Sequence, residues 1–209
     1  MTTPQRSSAR GDSQRQRIID AALETVRASP VADVQLAAIA ARAGMGASHI
    51  LYYFPSRDDV LIAAVAHAEQ QLAEGRTERL RAIEDANARL RAYLRAYLPD
   101  DRHDPVWKLW MEGWLRSPSS AAFRPVGADA NLRWRGDLIE ALEHAVRADV
   151  TLEEGSAGIA RRLNFLLDGL AVHILSGKVS PEDAEEVAMA AIRAEITAAQ
   201  QARERSAGG

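Results

Sequence analysis

Residues 43–59, AGMGASHILYYFPSRDD, gather short polar and aromatic side chains suited to the surface of a DNA duplex. Ala47 can touch a thymine methyl, and Ser48 and His49 can hydrogen-bond to base edges or to phosphate. Tyr52 and Tyr53 carry hydroxyls that reach phosphate oxygens at a groove edge. Arg57 brings a guanidinium to the start of the following helix. Ile39, Ile50 and Phe54 are interleaved with these residues and read as core.

A second cluster lies downstream. Trp107, Trp110, Met111 and Trp114 fall at i, i+3, i+4 and i+7, on one face of a helix. Such a stripe fits a packed core or the wall of a pocket between bundle helices. Tyr93, Tyr97, Trp134 and Phe165 could complete that wall, with Asp168 as an acidic partner. Aromatic faces plus an acid would suit a cation. The five histidines are scattered, without a His-x-x-x-His or Glu-x-x-His spacing, and there is no cysteine. Disulfides, thiolate nucleophiles and Cys-based zinc sites are excluded. No nucleophile elbow, phosphate loop or dinucleotide fingerprint occurs. The expectation is no enzyme, no metal and no cofactor.

The elements that must position these groups are helices. Ala, Leu and Arg dominate, aromatics are 5%, and no sustained period-2 run of β-branched residues appears. Ser13 to Gln16 reads as a capping box that opens a helix carrying Ile18, Ile19, Ala22, Leu23 and Val26. A short helix over 35–43 follows. Gly44 behind it can take a positive φ. A third helix runs over 46–53 and stops before Pro55. Ser56 opens a long helix to about residue 82, which Gly75 bends or breaks. Further helices are expected over 86–98, 105–116, 128–148, 151–176 and 180–200, the eighth opened by a capping box at Thr151 to Glu154. The apolar residues Leu163, Leu166, Leu170 and Ile174, then Val187 and Ala191, form stripes on the last two. No apolar run of about 18 residues exists, so no membrane span or membrane partner is expected. The N-terminus has no apolar core of a secretory signal, and a cytoplasmic location fits. Residues 1–57 hold seven Arg against four acids, a charge of +3, and the rest of the chain carries −6. A basic head on an acidic body is compatible with nucleic acid at the head.

Three short helices with a tight Gly-containing link describe a helix-turn-helix, whose second helix enters a major groove. Here the chain resembles the N-terminal domain of the tetracycline-repressor (TetR) family of transcriptional regulators. The match runs through Ile39 and Ala40, Ala43-Gly44-Met45-Gly46, Ile50-Leu51-Tyr52-Tyr53-Phe54, Ser56-Arg57 and Leu61. Gly46 stands where the family has Ser, Ser48 where it has Gly, Leu51 where Tyr is common, Arg57 where it has Lys, and Gln35 where Thr often caps the second helix. The DNA-facing set is then Gln35, Gly46, Ala47, Ser48, His49, Tyr52, Tyr53 and Arg57. Residues 104–118 and 163–184 also look like the C-terminal domain type of the choline-responsive BetI branch.

The resulting expectation is an all-α chain of about nine helices. It comprises a disordered arm (1–12), a three-helix DNA-binding domain (13–55), a ligand-binding and dimerisation bundle (56–200) and a frayed tail (201–209). The resemblance implies a homodimeric, ligand-responsive repressor of a palindromic double-stranded operator. Leu163, Leu166, Leu170, Ile174, Val187 and Ala191 would pair with their twins, and an unidentified small molecule would be the effector. The alternative is a helical adaptor that binds protein rather than DNA.

Overall fold

The structure is a computed structural model that describes residues 5–116, 124–146 and 155–207. Among these, every regular element is helical: α1 (Gln5–Ala28), α2 (Leu36–Ala43), α3 (Ala47–Tyr53), α4 (Arg57–Ala73), α5 (Arg76–Arg81), α6 (Ala86–Tyr97), α7 (Pro105–Arg116), α8 (Arg124–Ala145), α9 (Gly155–Leu175) and α10 (Pro181–Ala207), with a 3-10 turn at Val31–Asp33. The described residues carry ten α-helices, in line with the nine or so expected, and Gly75 breaks the long fourth one. Its φ of +64° starts α5 as a separate element. The chain divides into two compact units, residues 1–71 with 103–127, and residues 72–102 with 128–209.

The first unit holds α1–α4 and α7. Its core joins Ile18, Ala22 and Val26 of α1 to Ile39 of α2, Ile50 of α3, Phe54, Leu61 and Val65 of α4, and Leu109 of α7. The spacing of Ile18, Ala22 and Val26, four residues apart, turns one stripe of α1 inward. That helix begins at Gln5 rather than at Ser13, so residues 5–12 are helical and the capping box lies inside a helix. α7 belongs to this unit, although the expected boundary at residue 55 assigned it to the body. Two cations of α7 account for the attachment. Lys108 Nζ donates to the carbonyls of Val26 (2.9 Å), Arg27 (3.2 Å) and Ser29 (3.3 Å), where α1 ends and leaves acceptors unsatisfied. Arg116 makes a two-pronged bond to Asp58 at the start of α4 (2.9 and 3.1 Å). Asp104 caps α7 itself, accepting from the amides of Val106 and Trp107.

The second unit holds α5, α6, most of α8, α9 and α10. Leu90 and Leu94 of α6, Leu138 and Leu142 of α8, Leu167 and Ile174 of α9, and Met189 and Ile192 of α10 are buried. Asp85 caps α6, accepting from the Ala88 amide at 2.7 Å. Arg91 and Arg95 of α6 both grip Glu185 of α10, at 2.6 and 2.8 Å, and hold its carboxyl below the usual range. Ser180 caps α10 through the Asp183 amide, as the Ser-Pro-Glu-Asp run implies. α10 continues to Ala207, so residues 201–207 are helical rather than frayed. The capping box expected at Thr151 to Glu154 lies outside the described residues.

Lys108→Met keeps the aliphatic stem and removes the cap on α1. The expected loss is about 1 kcal/mol of unfolding free energy, read by urea unfolding at fixed protein concentration.

Candidate DNA-binding surface and effector site

The reading surface is built by the turn between α2 and α3. Gly44 adopts φ +67° and ψ +37°, and the Met45 amide reaches back to the Ala40 carbonyl at 3.0 Å, closing a left-handed helix end. Arg17 of α1 donates to the Ala43 carbonyl at 2.7 Å and pins the same turn. Gly46 then sits extended as the N-cap residue ahead of α3, without a side chain to cap it. Ile50 and Phe54 are buried, which anchors α3 on one side. The opposite side leaves Gly46, Ser48, His49, Leu51 and Tyr52 exposed, with Ala47 and Tyr53 half-buried. Tyr52 is 82% exposed, and its ring meets Tyr53 edge-on at 5.1 Å. His49 meets Tyr53 in the same manner at 5.5 Å, so the three rings form a continuous ridge. Gln35 is exposed at the head of α2, and its side chain makes no cap bond.

Arg57 departs from its expected role. Its guanidinium turns inward, donating to the Val31 carbonyl through Nη2 and to Asp58 through Nη1 at 3.3 Å. It ties the start of α4 to the 3-10 turn instead of presenting a free cation to phosphate. The Val31 carbonyl, which also accepts from the Val34 amide at 3.2 Å, and the neighbouring Asp58 carboxylate hold it there. Sequence reasoning also missed Arg17, because a bond across 26 positions leaves no local pattern.

The aromatic residues expected to line one pocket are divided between the two compact units. Trp107, Trp110, Met111 and Trp114 lie on α7 in the first unit. Trp114 is 6.0 Å from Trp107 and 6.3 Å from Trp110, and Trp110 Nε1 donates to the buried Glu69 carboxylate at 2.7 Å. Tyr93, Tyr97, Trp134 and Asp168 come together in the second unit. The two tyrosine rings stack at 5.8 Å, and Trp134 stands edge-on to both, at 5.9 and 5.2 Å. Tyr97 donates to Asp168 at 2.7 Å. Burial pushes the Asp168 carboxyl above the ordinary aspartate value, against the opposing pull of that hydrogen bond. Phe165 lies at the surface, 71% exposed, and lines no wall of this cluster's unit interior.

The residues assigned to a dimer face also divide. Leu163, Leu170 and Ile174 are buried within one chain, at 3, 8 and 1% exposure. The most apolar stripe of α9 packs on its own bundle and is unavailable to a twin. Leu166 and Ala191 are half-buried. Of the six, Val187 on α10 is exposed, and Phe165 and Val172 on α9 are exposed besides.

An all-helical chain whose N-terminal helix-turn-helix exposes a small polar reading helix is a DNA-binding regulator in architecture. Residues 18–64 match the model of the bacterial regulatory proteins of the tetR family, and residues 86–197 match that of the BetI-type transcriptional repressor C-terminal domain. The HTH-type transcriptional regulator BetI of Cronobacter sakazakii is 29% identical over 160 residues, covering 75% of this chain and 77% of that one. BetI of Ectopseudomonas mendocina is 29% identical over 182 residues, 84% of this chain and 89% of that one. Among solved structures, a transcriptional regulator from Saccharomonospora viridis in complex with choline shares the fold with a TM-score of 0.75 at 25% identity. That match covers 85% of this chain and 94% of the other. The chain belongs to the TetR family of transcriptional repressors, with a BetI-type C-terminal domain. It is a regulator and not an enzyme, and no helix among the described residues is long and apolar enough to cross a membrane.

Two outcomes follow. Tyr52→Ala removes an exposed ring and leaves the melting temperature unchanged while duplex affinity falls by roughly 1–2 kcal/mol; Arg57→Ala lowers the melting temperature itself. Fluorescence anisotropy beside calorimetric melting separates the two. Asp168 has a raised folded-state pKa, so its contribution is complete below the unfolded pKa and is lost as pH rises through the folded one. Asp168→Asn, which still accepts from Tyr97, therefore melts above the parent at pH 7, and the gain shrinks toward pH 3.

Proposed function

We propose that this repressor acts as a homodimer on a palindromic operator and is released by a small organic cation. The single observation that carries the DNA-binding part is α3 itself: buried through Ile50, open through Gly46, Ser48, His49 and Tyr52. One such helix makes few base contacts, and two at fixed spacing read a palindrome. The exposed apolar residues Phe165, Val172 and Val187 support pairing through α9 and α10, since two packed helices with a common apolar surface suit a two-fold four-helix interface. Gln35, Gly46, Ala47, Ser48, His49, Tyr52 and Tyr53 form the proposed DNA contact. Its cellular site of action is then the cytoplasm, where the operator lies.

The effector reading rests on Tyr93, Tyr97, Trp134 and Asp168, whose ring faces and carboxyl suit an organic cation. The choline bound by the Saccharomonospora viridis regulator supports the same ligand class for this chain. A ligand that binds the body differently in its two states shifts operator affinity by that difference, and by no more. α4 leaves the reading head, and its chain continues through Gly75 into α5, so it is the covalent route for that shift.

Phe165→Glu places a charge on the proposed dimer face. Sedimentation velocity is expected to show a folded monomer at micromolar concentration, with operator affinity lost in parallel. A Phe165→Glu protein that stays dimeric and binds DNA as before contradicts this interface.

A further inference from the structure

The aromatic cluster of the second unit already contains a cation. Arg76, the first residue of α5, lays its guanidinium over the Trp134 ring, with Cζ 3.4 Å from the ring centre. Its Nε donates to Asp137 Oδ2 at 2.7 Å, and Thr77 donates to Oδ1 of the same carboxylate at 2.7 Å. Both members of the pair are buried, with side chains 4 and 6% exposed. Trp134 meets Tyr93 and Tyr97, so the guanidinium shares one neighbourhood with three aromatic rings and a carboxylate. Those are the elements by which proteins hold an organic cation.

The arrangement is incomplete as it stands. Arg76 Nη1 and the Tyr93 hydroxyl are buried and have no hydrogen-bond partner. Tyr93 is fully buried, and burial keeps its hydroxyl protonated and a donor. Two desolvated donors without acceptors are costly features of a packed interior. Arg76 acts on Tyr93 electrostatically against Asp137 and Asp168, so moving the guanidinium aside leaves two carboxylates that disfavour an anion. A cation that also carries an oxygen acceptor fits both the carboxylates and the Tyr93 donor.

We propose that Tyr93, Tyr97, Trp134 and Asp137 form a cation site in which Arg76 is the resident ligand, and that a small organic cation enters only by exchanging with the Arg76 guanidinium. The proposal rests on reading this body as an effector domain. Local structure favours the exchange. Gly75, in the left-handed conformation, precedes Arg76 directly, and α5 is only six residues long. A small cleft reaches Asp137 between Thr77, Leu80, Arg89 and Ala141. Arg76 thus sets the affinity and selectivity of the site: the incoming ligand has to outbid an internal cation for both the Trp134 face and Asp137.

The test uses the full-length protein and tetramethylammonium, with tert-butanol as an uncharged probe of similar shape. Isothermal calorimetry is expected to show Arg76→Ala binding tetramethylammonium at least about tenfold more tightly than the parent, with no such gain for tert-butanol. Adding Trp134→Leu to Arg76→Ala should abolish the gain. Millimolar methylguanidinium, which replaces the lost group, should raise the melting temperature of Arg76→Ala and leave the parent unchanged. If Arg76→Ala fails to fold, the charge-neutral Arg76→Ala/Asp137→Asn variant carries the same comparison against Asp137→Asn. Equal affinity in parent and variant, or an equal gain with tert-butanol, overturns the proposal. Duplex binding is measured on the same samples. Lost binding in the parent would refute the regulator reading, whereas intact binding without a cation gain refutes the exchange alone.

Discussion

The reading head depends on one backbone conformation, the left-handed residue between α2 and α3. At φ +67° Gly44 ends α2 and redirects the chain within three residues, so that Ile50 points into the core while Ser48 and His49 face solvent. A side chain there would be strained by that backbone, and its Cβ would lie 3.5 Å from Arg17 Nη2, the group that pins the turn through the Ala43 carbonyl. The angle between α2 and α3 is thus fixed by a Gly and an Arg that never need to touch DNA. Ser48, His49 and Tyr52 are exposed and outside that core, whereas Ala47 and Tyr53 also pack against it.

Charge is handled differently in the two units. In the first, Lys108, Arg116, Arg17 and Arg57 are spent on helix ends and loop carbonyls, leaving a reading helix, α3, without a Lys or Arg. Its contacts are then polar and aromatic, with positive potential from the rest of the basic head. In the second, Arg76 and Asp137 are buried as a pair. Such a pair is weak evidence for stability, since desolvation offsets most of its attraction. Its retention among three aromatic rings makes more sense as part of a site than as a staple. The two units thus use arginine differently, on helix ends and loop carbonyls in the first, and over the Trp134 ring beside a buried carboxylate in the second.

Much of this was legible in the sequence. The helix-turn-helix could be read because its signals are local: Gly at a helix end, Pro after α3, and apolar residues at helical spacing. The caps at Asp104 and Ser180 lie in equally local patterns, Asp before Pro105 and Ser-Pro-Glu-Asp over 180–183. What escaped was whatever depends on contacts between distant positions. Arg57 looked like a phosphate ligand from its place at a helix start, and only the Val31 carbonyl explains why it turns inward. The tryptophans of α7 and the tyrosines of α6 looked like one wall, because periodicity reports which face is apolar and not what that face meets. Leu163, Leu170 and Ile174, expected at a dimer face, are buried within one chain for that reason, as the strongest stripe of a helix goes to its own core first. Arg76 carried no signal at all, since an Arg at a helix start is ordinary until Trp134 and Asp137 are seen around it.

The most direct test of the central claim, that α3 reads a duplex as one of a symmetric pair, is selection from a random duplex pool by the purified protein, followed by the salt dependence of binding to the enriched sequence. An enriched palindrome, with half-sites about one helical turn or a multiple of it apart and affinity falling steeply with salt, is the predicted result. A folded protein that enriches no motif at moderate salt, with and without organic cations present, would contradict it.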